Sequence, residues 1–258
     1  MATVDAVALE AKVKQMYRLV AEQPGAGYHF EMGRALAERL GYPTDLLDQI
    51  PAEALDSFAG VGYFLDLADL QPGERVLDLG SGSGTDSFAA AAFVGATGTV
   101  VGVDFTAEQL AKSRRLAHAA ELKHVEFREG RIESLPAIED GSVDCVISNG
   151  VINLSAEKMR VFAEAARVLR PGGRLAVADI VSQRQLTDAI VADADLWASC
   201  IGGAAQQDAY HLAIETAGLH IQQTRPNPYQ FISEQARNAS TAYGVHSISL
   251  LAVKPPSC

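Results

Sequence analysis

A doubly wound α/β fold with a mainly parallel sheet is the architecture that this 258-residue sequence predicts, and three observations predict it. Short apolar runs alternate with helical stretches from residue 71 onward. Those runs are continuously apolar instead of alternating with polar residues, as strands covered on both faces are. The first of them passes through a glycine cluster straight into a helix.

In chain order, residues 1–70 read as a helical cap. Val4–Val20 is amphipathic, Glu31–Leu40 is similar, and Pro51 begins a helical turn after Asp48–Ile50. The segment ERVLDLG (Glu74–Gly80) is a strand bounded by Pro72-Gly73 and the glycine cluster. A helix follows over Asp86–Val94, then a second strand over Thr97–Asp104. Thr106 is expected to cap the next helix, its hydroxyl accepting from a free backbone amide. Lys123–Gly130 and Ser142–Gly150 are strands three and four. Ser155 is expected to open a helix that runs to Arg170 and stops at Pro171-Gly172-Gly173, and Arg174–Val181 is the fifth strand. Residues 182–240 are mostly helical and contain LWASCIGGA (Leu196–Ala204). A last pair near Leu219–Thr224 and Val245–Val253 brings the sheet to seven strands. The chain thus divides into a cap (1–70), a ligand-binding core (71–181) and an insert with closing strands of the same domain (182–258). The cap and the insert are expected to lie as lids over the carboxyl ends of the strands, where open α/β sheets bind ligands.

Composition narrows the function. With 48% hydrophobic and 21% charged residues the chain is neither collagen-like, coiled coil nor wholly disordered. Its 32 acidic and 21 basic side chains leave a formal charge of −11, which repels phosphate backbones, so no nucleic-acid partner is expected. Apolar runs stop well short of the ~18 residues of a membrane helix, so no membrane partner is expected either. The opening MATVDAVALEAKVKQMY alternates charged and apolar residues, unlike a signal peptide. Cys145, Cys200 and Cys258 are too few for a disulfide framework, and a cytoplasmic location is the expectation.

The strongest chemical signal is VLDLGSGSGTD (Val76–Asp86). Glycines at 80, 82 and 84 let the backbone turn tightly and approach a ligand that a Cβ would hold away. Asp104 ends the next strand, where a carboxylate can accept both hydroxyl protons of a ribose. In a dinucleotide fingerprint counted from Gly80 the last glycine falls on Thr85, which disfavours a nucleotide-dependent oxidoreductase. Asp78, just before the turn, would repel a pyrophosphate and suits an ammonium group. Acids before the turn and at the end of the second strand favour S-adenosylmethionine, which has amino-acid and ribose ends and no phosphate. The plain alternative is a glycine-rich strand–helix turn with two incidental acids.

The segments VLDLGSGSGTD, VVGVDFTAEQL, VEFREGRIESLP, DCVISNGVINLS and VLRPGGRLAVADI resemble the successive motifs of class I S-adenosylmethionine-dependent methyltransferases. Through SNGVINL, LWASCIGGA and SISLLAVKP the resemblance is to the arsenite methyltransferase-like group. It covers Gly73–Pro255 well and the first 70 residues poorly. It implies a Rossmann-like sheet whose last strand is antiparallel, S-adenosylmethionine as cofactor and a small-molecule acceptor as partner. Residue by residue, it implies that Asp78, Gly80, Ser81 and Gly82 line the methionine end and that Asp104 holds the ribose. Phe105 would pack on the adenine, Ile132 and Glu133 would meet its edge, and Asn149 and Val151 would lie beneath the sulfonium. For Phe105 and Ile132, core packing is an equal alternative.

Relatives in the arsenite group hold soft trivalent arsenic with three thiolates. In this chain the first thiol position is Ser87, the second is Cys200 and the third, counted back from Lys254, falls on Tyr243. The expectation is a pocket rebuilt for another small acceptor (an organic thiol, amine or hydroxyl), lined by Trp197, Cys200, Tyr243 and His246. His246 would be a general base near neutral pH. Burial as a small core residue is the alternative for Cys200, and a surface position for His246. Arsenite methylation proper and a non-catalytic S-adenosylmethionine-binding module are the rival functions. Tyr28-His29-Phe30, after Gly25 and Gly27, is a candidate lid strip, and the His211/Glu215 pair reads as a solvated helix face.

Overall fold

A computed structural model describes residues 4–198 and 201–256. Five helices form the cap: α1 (Ala6–Glu22), α2 (Arg34–Leu40), α3 (Thr44–Leu47), α4 (Ala52–Asp56) and α5 (Leu65–Ala68). The core follows as β1 (Arg75–Leu79), α6 (Thr85–Val94), β2 (Thr99–Asp104), α7 (Ala107–Ala119), β3 (Val125–Glu129), β4 (Val143–Asn149), α8 (Lys158–Val168) and β5 (Leu169–Ser182). The insert carries α9 (Asp188–Val191), α10 (Ala194–Ala198), β6 (Ala205–Gln206) and α11 (Gln207–Thr216), and the chain closes with β7 (His220–Pro226), α12 (Glu234–Tyr243) and β8 (His246–Val253).

The strand order is β3-β2-β1-β4-β5-β8-β7, with the two-residue β6 beside β5. Pairings from β3 through β5 are parallel, and β8 runs antiparallel between β5 and β7. From β1 the chain first fills one side of the sheet and then, with β4, the other. The connections therefore part above β1 and β4, and a crevice opens there. Leu79 is in register with Val103 on one side and Ser148 on the other, so the loops after β1, β2 and β4 leave the sheet at one level. The mainly parallel, Rossmann-like sheet with an antiparallel last strand is as the sequence predicts.

Two apolar layers cover the sheet. One joins the cap helices, α6 and α7, and includes Leu36, Leu47, Phe64, Phe88 and Phe127. The other lies under α8 and α11 and includes Phe162, Leu175, Tyr210 and Ile214. The alanine-rich α6 is buried over nearly its whole length, because the sheet covers one side and the cap the other. A third, small cluster packs Val4, Leu9 and Val13 of the α1 segment on Leu154 and Trp197. Thus α1 lies as a lid, and α10 of the insert supports it.

Several local expectations are corrected. Thr106 occupies the N-cap of α7, but no side-chain bond caps the helix; its backbone N–H donates instead to Asp104 Oδ1 at 2.8 Å. Ser155 accepts from the Glu157 N–H at 3.0 Å, yet α8 begins only at Lys158. The helix ends at Val168, two residues before Arg170, so Pro171-Gly172-Gly173 lie just past its end and do not directly stop it. Leu169 already pairs with Val143, and the strand absorbs the three residues through a register shift before Cys145. An eighth strand, β6, was not expected.

Candidate active site

The crevice above β1 and β4 is a cleft of about 1250 Å³ of open space, roofed by Ala6, Leu9, Glu10, Val13 and Tyr17 of α1. Its floor is the glycine loop. Gly80 has φ +73°, and a Cβ there would stand 2.4 Å from Val151 Cγ1, so both the turn and the approach to the β4 loop require glycine. The Gly80 and Ser81 N–H groups both donate to the Val103 carbonyl, at 2.8 and 3.0 Å, which pins the loop to β2.

Three carboxylates converge here with no ion-pair partner among the described residues. Asp104 accepts from the Gly82 N–H at 2.9 Å and the Thr106 N–H at 2.8 Å. Burial pushes its pKa up, and those hydrogen bonds pull it back toward the ionised form. Asp78 accepts from Ser87 Oγ at 2.6 Å. Burial, then the neighbouring Asp86 carboxylate, push its pKa up to about 8. Asp86 receives Tyr42 Oη at 2.5 Å and Asn149 Nδ2 at 3.0 Å, and burial pushes its pKa up to about 6.

The far wall comes from the loops after β2, β3 and β4. Lys14 of α1 stands 5.1 Å over the Phe105 ring, and Arg131 pairs with Glu10 of the lid at 2.5 Å. Glu133 accepts from Ser155 Oγ at 2.5 Å. The buried Ser81 Oγ has no hydrogen-bond partner among the described residues, and a ligand's polar group would supply one. An acidic, phosphate-repelling floor with one open hydroxyl fits a nucleoside that carries positive charge and no phosphate.

Every residue expected at the cofactor lines this one cleft: Asp78, Gly80, Ser81, Gly82, Asp104, Phe105, Ile132, Glu133, Asn149 and Val151. The residues expected at the acceptor do not assemble there. Cys200 lies outside the described residues. Tyr243 ends α12, and its carbonyl accepts from the Arg184 N–H at 3.0 Å. His246 opens β8 opposite Val181, with Nδ1 2.7 Å from the Gly244 carbonyl and Nε2 3.1 Å from Gln207 Oε1. Both ring nitrogens are thus occupied away from the cleft. Trp197 is buried under α1, its Nε1 donating to the Val191 carbonyl at 2.7 Å, with Lys158 Nζ 4.5 Å from the ring centroid. Ser87 is fully buried and turned toward Asp78. Cys145 is sealed within β4, where burial pushes its thiol up to about 12. Phe30 of the candidate lid strip stacks on Tyr17 and Tyr28 as a packing anchor beside the roof.

Sequence reasoning missed Asp86 and Tyr42 as site residues. A second acid in the first helical turn after the glycines was a usable signal for Asp86. Tyr42 lies 44 residues away in the cap and gave none.

The comparisons agree with this geometry. A family model described as a methyltransferase domain matches residues 70–218. The chain is 40% identical over 221 residues to an arsenite methyltransferase of Halobacterium salinarum, covering 85% of this chain and 56% of that protein. It is 46% identical over 175 residues to an arsenite methyltransferase of Aquipseudomonas alcaligenes, covering 65% and 50%. The chain therefore spans about half the length of these curated relatives. A crystal structure of an arsenic(III) S-adenosylmethionine methyltransferase from Chlamydomonas reinhardtii superposes with a TM-score of 0.65 at 31% identity, covering 87% of this chain and 74% of that one.

Proposed function

The chain belongs to the class I methyltransferase domain family, related to the arsenite methyltransferases and with S-adenosylmethionine as cofactor, and from this premise we propose that it methylates a small protic acceptor (an organic thiol, amine or hydroxyl). The observation that carries the reading is Ser87. It stands where the arsenite enzymes are expected to have their first thiol, and its hydroxyl is spent on Asp78. Tyr243, at the third thiol position, lies off the cleft, and among the described residues no cysteine lines it. A hydroxyl is a hard and weakly acidic ligand, poorly matched to trivalent arsenic.

Bound S-adenosylmethionine supplies an electrophilic methyl carbon on a positively charged sulfur. The chain's own residues bind, orient and exclude water. Asp104, fixed by two backbone N–H groups, presents its carboxylate to the ribose hydroxyls. Asp78, Gly80, Ser81 and Gly82 receive the amino-acid end, and Phe105, Ile132 and Glu133 border the base. Ala6, Leu9 and Val13 of α1 give the cleft an apolar roof. Cys200 on the insert is a candidate at the acceptor, and Tyr243 and His246 act there only if the segment around α10 brings the acceptor to them.

A second reading, arsenite methylation itself, is favoured by the 40% identity to the Halobacterium salinarum relative. A screen that follows S-adenosylhomocysteine formation with arsenite, selenite, small thiols, amines and phenols in parallel separates the two. Turnover of a thiol, amine or phenol well above arsenite supports the first reading. Arsenite turnover with glutathione at the rate of a three-cysteine relative overturns it. Cys200→Ser in the active reaction then tests that thiol, since unchanged turnover relegates it to packing.

A further inference from the structure

We propose that Asp86 senses positive charge at the position from which the methyl group leaves, so that the cleft prefers the cationic methyl donor to the neutral thioether left after transfer. This rests on the cofactor reading above, in which Asn149 and Val151 lie beneath the sulfonium. The Asn149 amide carries no formal charge with which to answer one there, and hydrogen bonds at both ends hold it in place. Its Oδ1 accepts from the Val61 N–H at 2.7 Å, and its Nδ2 faces the Gly62 carbonyl, Tyr42 Oη and Asp86 Oδ2 at 3.0, 3.1 and 3.0 Å. The formal charge on this wall is therefore the one behind the amide, on Asp86.

Asp86 is built to carry it. The carboxylate lines the cleft, is only 7% exposed and has no cationic partner among the described residues. It stands in the first turn of the ten-residue α6, where the helix dipole favours an anion. Tyr42 Oη holds its second oxygen at 2.5 Å. Tyr42 and Tyr63 from the cap and Asp78 from β1 are the titratable groups that act on it. Burial and hydrogen bonds together leave it ionised above about pH 6. Asp78 differs in placement. It faces the glycine loop and the amino-acid end, which donor and product share, so it cannot tell one from the other. Loss of charge at sulfur thus removes a favourable charge interaction with Asp86, and the spent product exchanges for fresh donor.

Calorimetric titration with S-adenosylmethionine, sinefungin (a protonated amine in place of the methylsulfonium) and S-adenosylhomocysteine tests this without any acceptor. The wild type is expected to bind the two cationic ligands roughly tenfold or more tighter than S-adenosylhomocysteine. Asp86→Asn is expected to erase that preference while keeping S-adenosylhomocysteine affinity, and Asp86→Glu to restore part of it. Equal weakening of all three ligands by Asp86→Asn, or an intact preference, overturns the proposal. If Asp86→Asn does not fold, the wild-type ratio of sinefungin to S-adenosylhomocysteine affinity is followed from pH 8 to pH 5. The proposal expects the ratio to fall through about pH 6, and a flat ratio contradicts it. Failure of the wild type to bind any of the three refutes the cofactor reading itself, a result distinct from binding without charge preference.

Discussion

The two sides of the sheet differ in how their candidate site residues are brought together, and only the β1–β2 side lines the crevice. On the β1–β2 side, a strand end, a glycine turn and a helix start lie within Val76–Asp86, and a second strand end supplies Asp104. These elements are neighbours in sequence and in the sheet, so their side chains meet as soon as β1 and β2 pair. On the β5–β8 side, Trp197, Tyr243 and His246 come from an insert, the end of a short helix and the start of an antiparallel strand. Each is engaged with its own surroundings: Trp197 with α1 and Lys158, Tyr243 with Arg184, and His246 with Gly244 and Gln207. The β1–β2 side is therefore a preorganised local unit, whereas the residues singled out on the β5–β8 side sit on separate segments, each with its own partners.

That contrast can be broken or sharpened by mutation, and the largest effect belongs to the preorganised half. Asp104→Ala removes a carboxylate that two backbone amides hold in place, and S-adenosylhomocysteine affinity is expected to fall roughly 100-fold or more, read by calorimetry. Retained affinity would mean that the glycine loop binds without the strand-end acid. Gly60→Ala comes next. Its Cβ would stand 2.4 Å from the Phe58 ring and 2.5 Å from Asn149 Nδ2, so the wall around Asn149 must shift. Affinity is expected to drop about tenfold while the fold survives in circular dichroism.

The acidic floor gives a smaller effect on stability. Asp78 and Asp86 titrate near pH 8 and pH 6 in the folded chain and near ~4 when unfolded. With folded pKa values raised, their contribution is fully present below about pH 4 and is lost as pH rises through 6 and then 8. The ligand-free protein is expected to melt several degrees lower at pH 8.5 than at pH 5.5. A cationic ligand should restore the difference, and Asp78→Asn should flatten most of it. An Asp78→Asn protein with the wild-type slope would show that the floor is not the source. The smallest effect is expected on the other side, where His246→Ala should change turnover less than twofold. A loss of tenfold or more would bring β8 into the chemistry and erase the contrast between the halves.

The same contrast explains what was legible in the sequence. The strand–glycine–helix signature is dictated locally, and the residues that the family resemblance implied at the cofactor all line one cleft. The sheet was legible for the same reason, since continuous apolar runs demand cover on both faces. The misreadings arose where tertiary contacts override local preference. Thr106 leaves its cap unfilled because its hydroxyl, like its N–H, turns to Asp104. Pro171-Gly172-Gly173 form an irregularity in β5 between Leu169, which pairs with Val143, and Arg174, which pairs with Cys145 and Val253. Tyr42 reaches Asp86 only because the cap folds over α6, and no spacing within either segment encodes that meeting. Ser87 was legible as a missing thiol but not as the donor to Asp78, because its direction is set by helix phase against β1.

Thermal denaturation with S-adenosylhomocysteine and, separately, with NAD probes the nature of the cleft most directly. Millimolar S-adenosylhomocysteine is expected to raise the melting temperature by several degrees through preferential binding to the folded chain, while NAD leaves it unchanged. An equal or larger rise with NAD, or none with S-adenosylhomocysteine, would contradict a pocket made for a phosphate-free nucleoside.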